Sequence, residues 1–118
     1  MTVKPIGQYW EQRAEHFLMQ HGLQLITRNF STPAGEIDLI MRDTDCVAFI
    51  EVRYRGSTRF GSAIHSVTAA KQRKLKRCAA LFVNRQTAWS RHPCRFDVIA
   101  YDAPNGDVEP VWIRAAFD

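Results

Sequence analysis

Two β-rich runs, residues 36–42 and 47–53, lie close together in the chain and limit its fold more than any other feature. Both runs are rich in residues that favour β-strands, such as isoleucine, valine and phenylalanine. The short segment between them, Asp43 to Cys46, predicts a tight antiparallel hairpin. Each run also carries an acidic side chain, Asp38 or Glu51, within a largely apolar strand.

Strand alternation assigns the side chains of this hairpin to two faces of a sheet. In the first strand, one face would carry Glu36, Asp38, Ile40 and Arg42, and the other Ile37, Leu39 and Met41. In the second strand, one face would carry Val47, Phe49, Glu51 and Arg53, and the other Ala48, Ile50 and Val52. Both strands therefore bring acidic groups to a half-buried sheet.

The register of the hairpin decides whether the two acids meet. If Arg42 pairs with Val47, counting back along both strands places Asp38 opposite Glu51. Directly opposed side chains have Cβ atoms about 5 Å apart, so two carboxylates would repel each other unless something neutralises them. A hard divalent cation such as Mg²⁺ is one interpretation, because it takes oxygen ligands. Protonation or solvent exposure of one carboxylate is the other, and a one-residue register shift would separate the acids altogether.

The same register sets Glu36 opposite Arg53, where the two would form an ordinary cross-strand ion pair. Arg53 also shares a predicted face with Glu51, so it is the first candidate for a cation that stabilises charge on a phosphate. Lys71, near the start of a basic segment, is the second candidate.

The first third of the chain contains one more helix and one more strand. Residues 7–21 place apolar side chains at helical spacing, and Gly22 follows where a helix C-terminal glycine is expected. Residues 23–30 alternate as a strand does, and the turn-prone run 31–35 separates this strand from the hairpin.

After the hairpin, residues 54–65 predict a loop and a second helix follows, with an apolar stripe formed by Leu75, Cys78, Ala79 and Phe82. Residues 95–101 and 108–113 predict two further strands around a turn at 104–107. The order is helix, three strands, helix, two strands. Because a strand-helix-strand crossover usually pairs its strands in parallel, we expect an α/β fold with a central mixed sheet flanked by helices.

The 118 residues suit a single domain, 1–118, and the 46% apolar and 24% charged content is typical of a soluble globular protein. No apolar run approaches the roughly 20 residues of a membrane span, and the N-terminal residues lack a secretory signal, so we expect a cytoplasmic protein. Cys46, Cys78 and Cys94 show no CxxC spacing, so we expect free thiols in the core.

The formal charge of +4 is concentrated in residues 71–77, where Lys71, Arg73, Lys74, Lys76 and Arg77 place five cations in seven positions. A polyanionic partner explains such a cluster. A solvated helix face explains it equally well.

Asp38, twelve intervening residues and then Glu51-Val52-Arg53, within GEIDLI and FIEVRYR, resemble the motif of the PD-(D/E)XK nuclease superfamily. Nearly the whole chain resembles the YraN-type family of uncharacterised endonuclease-like proteins, which is similar in fold to archaeal Holliday junction resolvases. The matching positions are Gly7, Glu11, Arg28, Asn29, residues 35–40 and 49–55, Gly61, Lys71, Leu75 and residues 95–98.

The resemblance implies a restriction-endonuclease-like fold and a Mg²⁺ or Mn²⁺ site. Asp38 and Glu51 would be metal ligands, the backbone carbonyl of Val52 a third, and Glu11 either a further ligand or a surface glutamate. The superfamily motif ordinarily has lysine where this chain has Arg53. Arginine can hold a phosphate but is a poor general base, so Lys71 could supply the missing function.

Two functions follow from the resemblance. The first is a metal-dependent nuclease that acts on DNA, with branched or otherwise structured DNA as the expected substrate and with a homodimer left open. Its contacts to backbone phosphates would come from Arg55, Arg59, Arg73, Lys74, Lys76 and Arg77. The second is a nucleic-acid-binding module that keeps the fold but is non-catalytic or needs a partner. RNA is a third, weaker candidate substrate, since phosphate contacts do not distinguish the two polymers.

Overall fold

The computed structural model describes residues 6–55, 66–102 and 109–118. Its elements are α1 (Ile6–Gln20), β1 (Gln24–Thr32), β2 (Gly35–Asp43), β3 (Cys46–Arg55), α2 (Ala69–Arg85), β4 (Cys94–Asp102) and β5 (Val111–Phe117). A single 3₁₀ turn, Thr87–Trp89, lies between α2 and β4. This order confirms the predicted succession of helices and strands.

The five strands form one mixed sheet in the order β1-β2-β3-β4-β5. Among the described strands only β3 and β4 pair in parallel, because α2 carries the chain across the sheet between them. The remaining pairs are antiparallel. The predicted α/β architecture with a mixed sheet is therefore confirmed.

Each face of the sheet is covered by one helix, and the core is accordingly divided into two clusters. The cluster on the α1 side contains Trp10, Ala14, Leu18, Leu23, Leu39, Met41, Ala48, Ile50, Ile99 and Tyr101. The cluster on the α2 side contains Ile37, Ile40, Val47, Phe49, Val67, Leu75, Cys78, Ala79, Phe82 and Val98. Burying each large apolar side chain contributes about 1.5–3 kcal/mol, so both helices are held firmly against the sheet.

Helix α1 forms because Trp10, Ala14 and Leu18 recur every four residues and are all buried against the sheet. It ends at Gln20 and is followed by Gly22, whose φ of 93° is a left-handed conformation that glycine adopts without steric cost. The amide of Leu23 donates to the carbonyl of Leu18 at 3.1 Å and closes the last turn.

Helix α2 begins after Thr68, whose side chain accepts a hydrogen bond from the amide of Lys71 at 3.1 Å. The predicted apolar stripe is confirmed, since Leu75, Cys78, Ala79 and Phe82 are its buried residues. Its first turn contains no acidic residue although negative charge is favoured there, and instead it places a cation, Lys71, near the positive end of the helix dipole.

The last strand is shifted from its predicted position. β5 spans Val111–Phe117, whereas the sequence pattern predicted residues 108–113. The buried carboxylate of Asp97 on β4 explains the shift, because it accepts hydrogen bonds from Trp112 Nε1 and from the amide of Ala115, both at 3.0 Å. The predicted turn at 104–107 lies outside the described residues.

Strand β3 is also longer than predicted. Tyr54 and Arg55 were predicted to begin a loop, but they continue the parallel ladder with β4, in which Arg55 pairs with Asp102. The rest of the predicted loop, residues 56–65, lies outside the described residues. The cysteines are free, as predicted, but only Cys78 is buried, while Cys46 is partly buried and Cys94 is exposed. No helix in the described ranges is long and apolar enough to cross a membrane.

Candidate functional site

The predicted register of the β2–β3 hairpin is confirmed. Arg42 pairs with Val47, and the ladder runs from the turn to the pair formed by Leu39 and Ile50. Beyond this pair the regular ladder stops. The backbone amide of Val52 instead donates a hydrogen bond to Oδ2 of Asp38 at 2.8 Å.

The predicted faces are confirmed in β3 but not throughout β2. Ile37 belongs to the cluster on the α2 side, whereas Leu39 and Met41 belong to the cluster on the α1 side, so the prediction that these three share a face is wrong. The pairing of β1 with β2 explains this difference. The residues on either side of Asn29 pair with those on either side of Asp38, but Asn29 and Asp38 do not pair with each other. Asn29 has a φ of 48°, and the local break lets the pleat change phase.

Glu51 is the most deeply buried acid of the site. Its side chain is 3% exposed, and its Oε2 atom has no hydrogen-bond partner within the described part of the chain. The ammonium of Lys71 lies 3.5 Å from this oxygen. Lys71 comes from the first turn of α2, so the helix brings a cation to a buried carboxylate that is otherwise poorly satisfied.

Asp38 lies beside Glu51, and its environment disfavours a second negative charge. Burial raises the pKa of Asp38 to about 8, and the hydrogen bond and charge of Glu51 act in the same direction. The Val52 amide and the charge of Lys71 oppose this shift without cancelling it. The two carboxyl groups therefore share a site that favours a single negative charge. Ionisation of both groups requires additional positive charge nearby.

Glu11 approaches the same acids from α1. Its Oε1 atom accepts a hydrogen bond from the side-chain amide of Asn29 at 2.8 Å, and the same nitrogen donates to Glu36 at 2.9 Å. Burial raises the pKa of Glu11, and the charges of Asp38 and Glu36 raise it further, while the bond from Asn29 lowers it. Glu11 therefore lies close to Asp38 and Glu36.

Arg53 has a different partner from the one that the sequence predicted. Its Nε and Nη2 atoms donate to the hydroxyl and the carbonyl of Ser66 at 2.7 and 2.9 Å. Glu36 accepts instead from Asn29 and, at 3.4 Å, from the hydroxyl of Ser31, so the predicted pairing of Glu36 with Arg53 is wrong. The phase change at Asp38 turns Glu36 towards α1, whereas Arg53 stays on the α2 side.

One cleft brings the predicted catalytic and metal-binding residues together. It has a volume of about 310 Å³ and is lined by Gly7, Trp10, Glu11, Asp38, Glu51, Val52, Arg53, Tyr54 and Lys71. It opens beyond the end of the β2–β3 ladder, where the N-terminal turns of α1 and α2 both reach β3. We refer to it as the acidic cleft.

The donors in the acidic cleft fit a hard divalent cation better than a soft one. In the described ranges no three His, Cys, Asp or Glu side chains are grouped closely enough to hold a metal ion. Mg²⁺ does not need such a group, because it commonly binds through one or two carboxylates and keeps several waters. The unsatisfied oxygen of Glu51 and the raised pKa of Asp38 are the features that a bound cation would relieve.

Residues 10–101 match the sequence profile of the uncharacterised protein family UPF0102. The chain belongs to this family. A UPF0102 protein of Pseudomonas syringae pv. syringae is 47% identical over 118 residues, covering 99% of this chain and 96% of the relative. A UPF0102 protein of Stutzerimonas stutzeri is 48% identical over 109 residues, covering 89% of this chain and 91% of the relative. One of Pseudomonas fluorescens is 45% identical over 113 residues, covering 95% of this chain and 92% of the relative. The resemblance to the YraN-type family is thereby confirmed.

The predicted phosphate-contacting residues of this UPF0102 member are only partly described. Arg73, Lys74, Lys76 and Arg77 are exposed on α2. The side chain of Arg55 and the whole of Arg59 lie outside the described residues. The four exposed cations extend from the same helix that delivers Lys71 to the acidic cleft.

Two residues near the site have roles that the sequence did not predict. Asn29 holds the carboxylates of Glu11 and Glu36, and Ser66 holds the guanidinium of Arg53. An asparagine in a strand was a usable signal, because asparagine adopts positive φ more readily than most residues. Ser66 carried no comparable signal, since its partner lies thirteen residues earlier in the chain.

Proposed function

We propose that this protein is a metal-dependent phosphodiesterase that hydrolyses DNA, with branched or otherwise structured DNA as its substrate. The observation that carries the proposal is the buried acidic pair: Glu51 has an unsatisfied oxygen and Asp38 has a raised pKa, and both line an open cleft. A buried acid with a strongly raised pKa in a cleft, as Asp38 is, is typical of a functional site. Asp38 and Glu51 are also the positions that match the nuclease motif.

Asp38 and Glu51 would hold Mg²⁺ or Mn²⁺, with the carbonyl of Val52 and the carboxylate of Glu11 as further oxygen donors. When bound, such an ion lowers the pKa of a coordinated water and withdraws charge from a phosphate. The protein keeps Asp38 oriented through the Val52 amide and keeps Glu11 oriented through Asn29. Both acids are thus positioned before any ligand arrives, which reduces the cost of ordering the site.

Lys71 is the cation that stabilises the reacting phosphate in this proposal. It lies 3.5 Å from Glu51, is partly exposed and lines the cleft, so its ammonium can donate to a phosphate oxygen. Arg53 also lines the cleft, but its guanidinium is bound to Ser66, which precedes α2. Arg53 therefore acts chiefly as a positioning residue that holds the start of α2, and with it Lys71, near the acids.

DNA binding would follow the exposed cations of α2. Arg73, Lys74, Lys76 and Arg77 present positive charge on the helix that begins at the cleft. Contacts of this kind go to backbone phosphates, which gives affinity without sequence readout. A substrate recognised by shape rather than by sequence is consistent with such a surface.

The deciding experiment measures cleavage of labelled linear, nicked and four-way-junction DNA, together with an RNA duplex, in Mg²⁺ or Mn²⁺. We expect metal-dependent cleavage that Asp38→Asn and Glu51→Gln both abolish. Glu15→Gln is the matched control, because Glu15 is also an acid of the α1 side but pairs with Arg28 outside the cleft. This control should cleave at the wild-type rate.

If no substrate is cut while salt-sensitive DNA binding persists, the chemistry is absent and the protein is a non-catalytic or partner-dependent binding module. Preferential cutting of RNA would reassign the substrate. Cleavage that survives both substitutions would remove the acidic pair from the mechanism.

A further inference from the structure

A second cavity lies on the outer flank of α1, beside the end of β4 and the beginning of β5. Its volume is about 390 Å³, within the range of small-molecule sites. Its lining includes Tyr9, Gln12, Arg13, His16, Gln20 and Glu109. We refer to it as the α1 groove. None of these residues takes part in the acidic cleft.

The α1 groove offers the surfaces that a flat aromatic ligand needs. Tyr9 is 46% exposed, although it is a large aromatic residue, and its ring packs edge-on against Trp10 with centroids 5.0 Å apart. The guanidinium of Arg13 lies 5.5 Å from the Trp10 ring centroid and 5.4 Å from that of Tyr101. Both rings are buried, so they hold Arg13 in place. Tyrosine rings and arginine guanidinium planes are surfaces on which nucleic acid bases stack.

The charge of the groove favours a neutral polar ligand over a phosphate. Arg13 and Glu109 contribute opposite charges to the lining, and Gln20 and His16, whose side chains hydrogen-bond each other at 3.1 Å, add polar groups. The N-terminal half of α2, in contrast, exposes the four cations Arg73, Lys74, Lys76 and Arg77, which suits a phosphate backbone. A base edge presents both donors and acceptors and matches the mixed lining of the groove.

The groove and the acidic cleft are neighbours on α1. Trp10 lines the cleft, and its ring contacts both Tyr9 and Tyr101, which line the groove. The helix from Gly7, in the cleft, to Arg13, in the groove, advances about 9 Å along its axis.

We propose that the α1 groove binds an unpaired base of the strand whose phosphate enters the acidic cleft. This inference rests on the proposed function and narrows its substrate class to DNA with unpaired nucleotides beside the cut, such as a single-stranded tail or a branch point. A continuous duplex cannot place a base in the groove without unpairing it.

The test measures binding in EDTA, so that it does not depend on catalysis. Fluorescence anisotropy compares a blunt duplex, the same duplex with a single-stranded tail, and a tailed duplex whose tail nucleotides are abasic. We expect the wild type to prefer the tail by about tenfold and to lose this preference for the abasic tail. Tyr9→Ala should lose it too, whereas Tyr9→Phe should keep it. Met19→Ala is the control, since Met19 is 50% exposed on α1 but does not line the groove.

Equal affinity for the three DNAs, or a tail preference that Tyr9→Ala retains, would overturn the inference even if metal-dependent cleavage is found. Loss of the preference in Tyr9→Ala supports the inference even if no cleavage is found, in which case only the proposed chemistry fails. Light scattering adds a second readout: a wild-type dimer that Tyr9→Ala dissociates would assign the groove to a second copy of the chain and overturn the inference.

Discussion

The carboxylate of Asp38 accepts a hydrogen bond from the backbone amide of Val52 at the point where the β2–β3 ladder ends. A side chain here takes the place of a backbone carbonyl from the neighbouring strand. The strands separate beyond the pair of Leu39 and Ile50, and the acidic cleft opens in the space between them. The same hydrogen bond therefore ends the regular sheet and orients one of the two central acids.

The metal-free protein should become less stable as pH rises from about 4 to about 8. The pKa of Asp38 is raised from its ordinary value of 3.8 to about 8 in the folded state, so the folded state binds more protons than the unfolded state in this window. Its contribution to stability is thus greatest at low pH and is lost as pH approaches 8. Thermal unfolding followed by circular dichroism in EDTA, at pH 5 and pH 8, measures the effect.

Asp38→Asn should remove this pH dependence and raise the melting temperature of the metal-free protein at pH 8. The new amide oxygen can accept from Val52, and its nitrogen can donate to Glu51, so a buried repulsion becomes a hydrogen bond. We expect a shift of roughly 4 °C for each 1 kcal/mol relieved. Asp45→Asn, at an exposed turn, is the control. A lower melting temperature for Asp38→Asn at pH 8 would contradict the account of the acidic pair.

Lys71→Met should reduce cleavage by about a hundredfold, because it removes a preorganised cation from the reacting phosphate. It should also lower the melting temperature, since Glu51 would lose the ammonium 3.5 Å from its buried oxygen. Single-turnover cleavage rates and thermal unfolding measure the two effects. Arg91→Met, which replaces an exposed cation outside α2, should change neither. Unchanged cleavage by Lys71→Met would leave Arg53 as the cation of the site.

Arg53→Lys restores the residue of the superfamily motif, yet we expect it to lower activity rather than raise it. The guanidinium donates through two nitrogens to the hydroxyl and carbonyl of Ser66, and a lysine ammonium cannot reproduce that fork. The start of α2 would then be held less firmly, and Lys71 with it. Cleavage rates of Arg53→Lys and Ser66→Ala should fall together. Higher activity in Arg53→Lys would show that residue 53 acts directly on the phosphate.

Neutralising the cations of α2 should weaken DNA binding and reduce its dependence on salt. Replacing Arg73, Lys74, Lys76 and Arg77 by alanine should lower the slope of log affinity against log salt by about 0.9 for each phosphate that the protein no longer neutralises. The measurement is DNA affinity over a range of salt concentrations. Arg91→Ala, an exposed arginine outside α2, is the control. An unchanged slope would show that α2 does not face the DNA.

The hairpin shows what could be predicted from local sequence. Its register followed from a short turn and two alternating strands, and Arg42 does pair with Val47. The faces of β3 were also correct, because its alternation continues without interruption from Val47 to Tyr54. These properties depend on neighbours in the chain, which the sequence displays directly.

Predictions that crossed the break at Asp38 were wrong, because they assumed that the strand stays regular there. Side-chain alternation predicts which face of the sheet a residue occupies only while the strand is regularly pleated. At Asn29, whose φ is 48°, the pleat is irregular. Ile37 consequently joined the α2 side, and Glu36 met Asn29 instead of Arg53. The shift of β5 has a similar origin, because the buried carboxylate of Asp97 selects which residues of β5 lie beside it.

The sequence by itself determined the order of the helices and strands, the mixed sheet, the hairpin register and the positions of Asp38 and Glu51 on adjacent strands. Turn length and side-chain periodicity depend only on neighbouring residues, so their effects do not depend on how distant segments pack. Only the tertiary structure decided that Lys71 reaches Glu51, that Arg53 binds Ser66 and that Asn29 holds Glu11. Each of these contacts joins separate segments of the chain, and its geometry exists only after two helices have packed on opposite faces of one sheet.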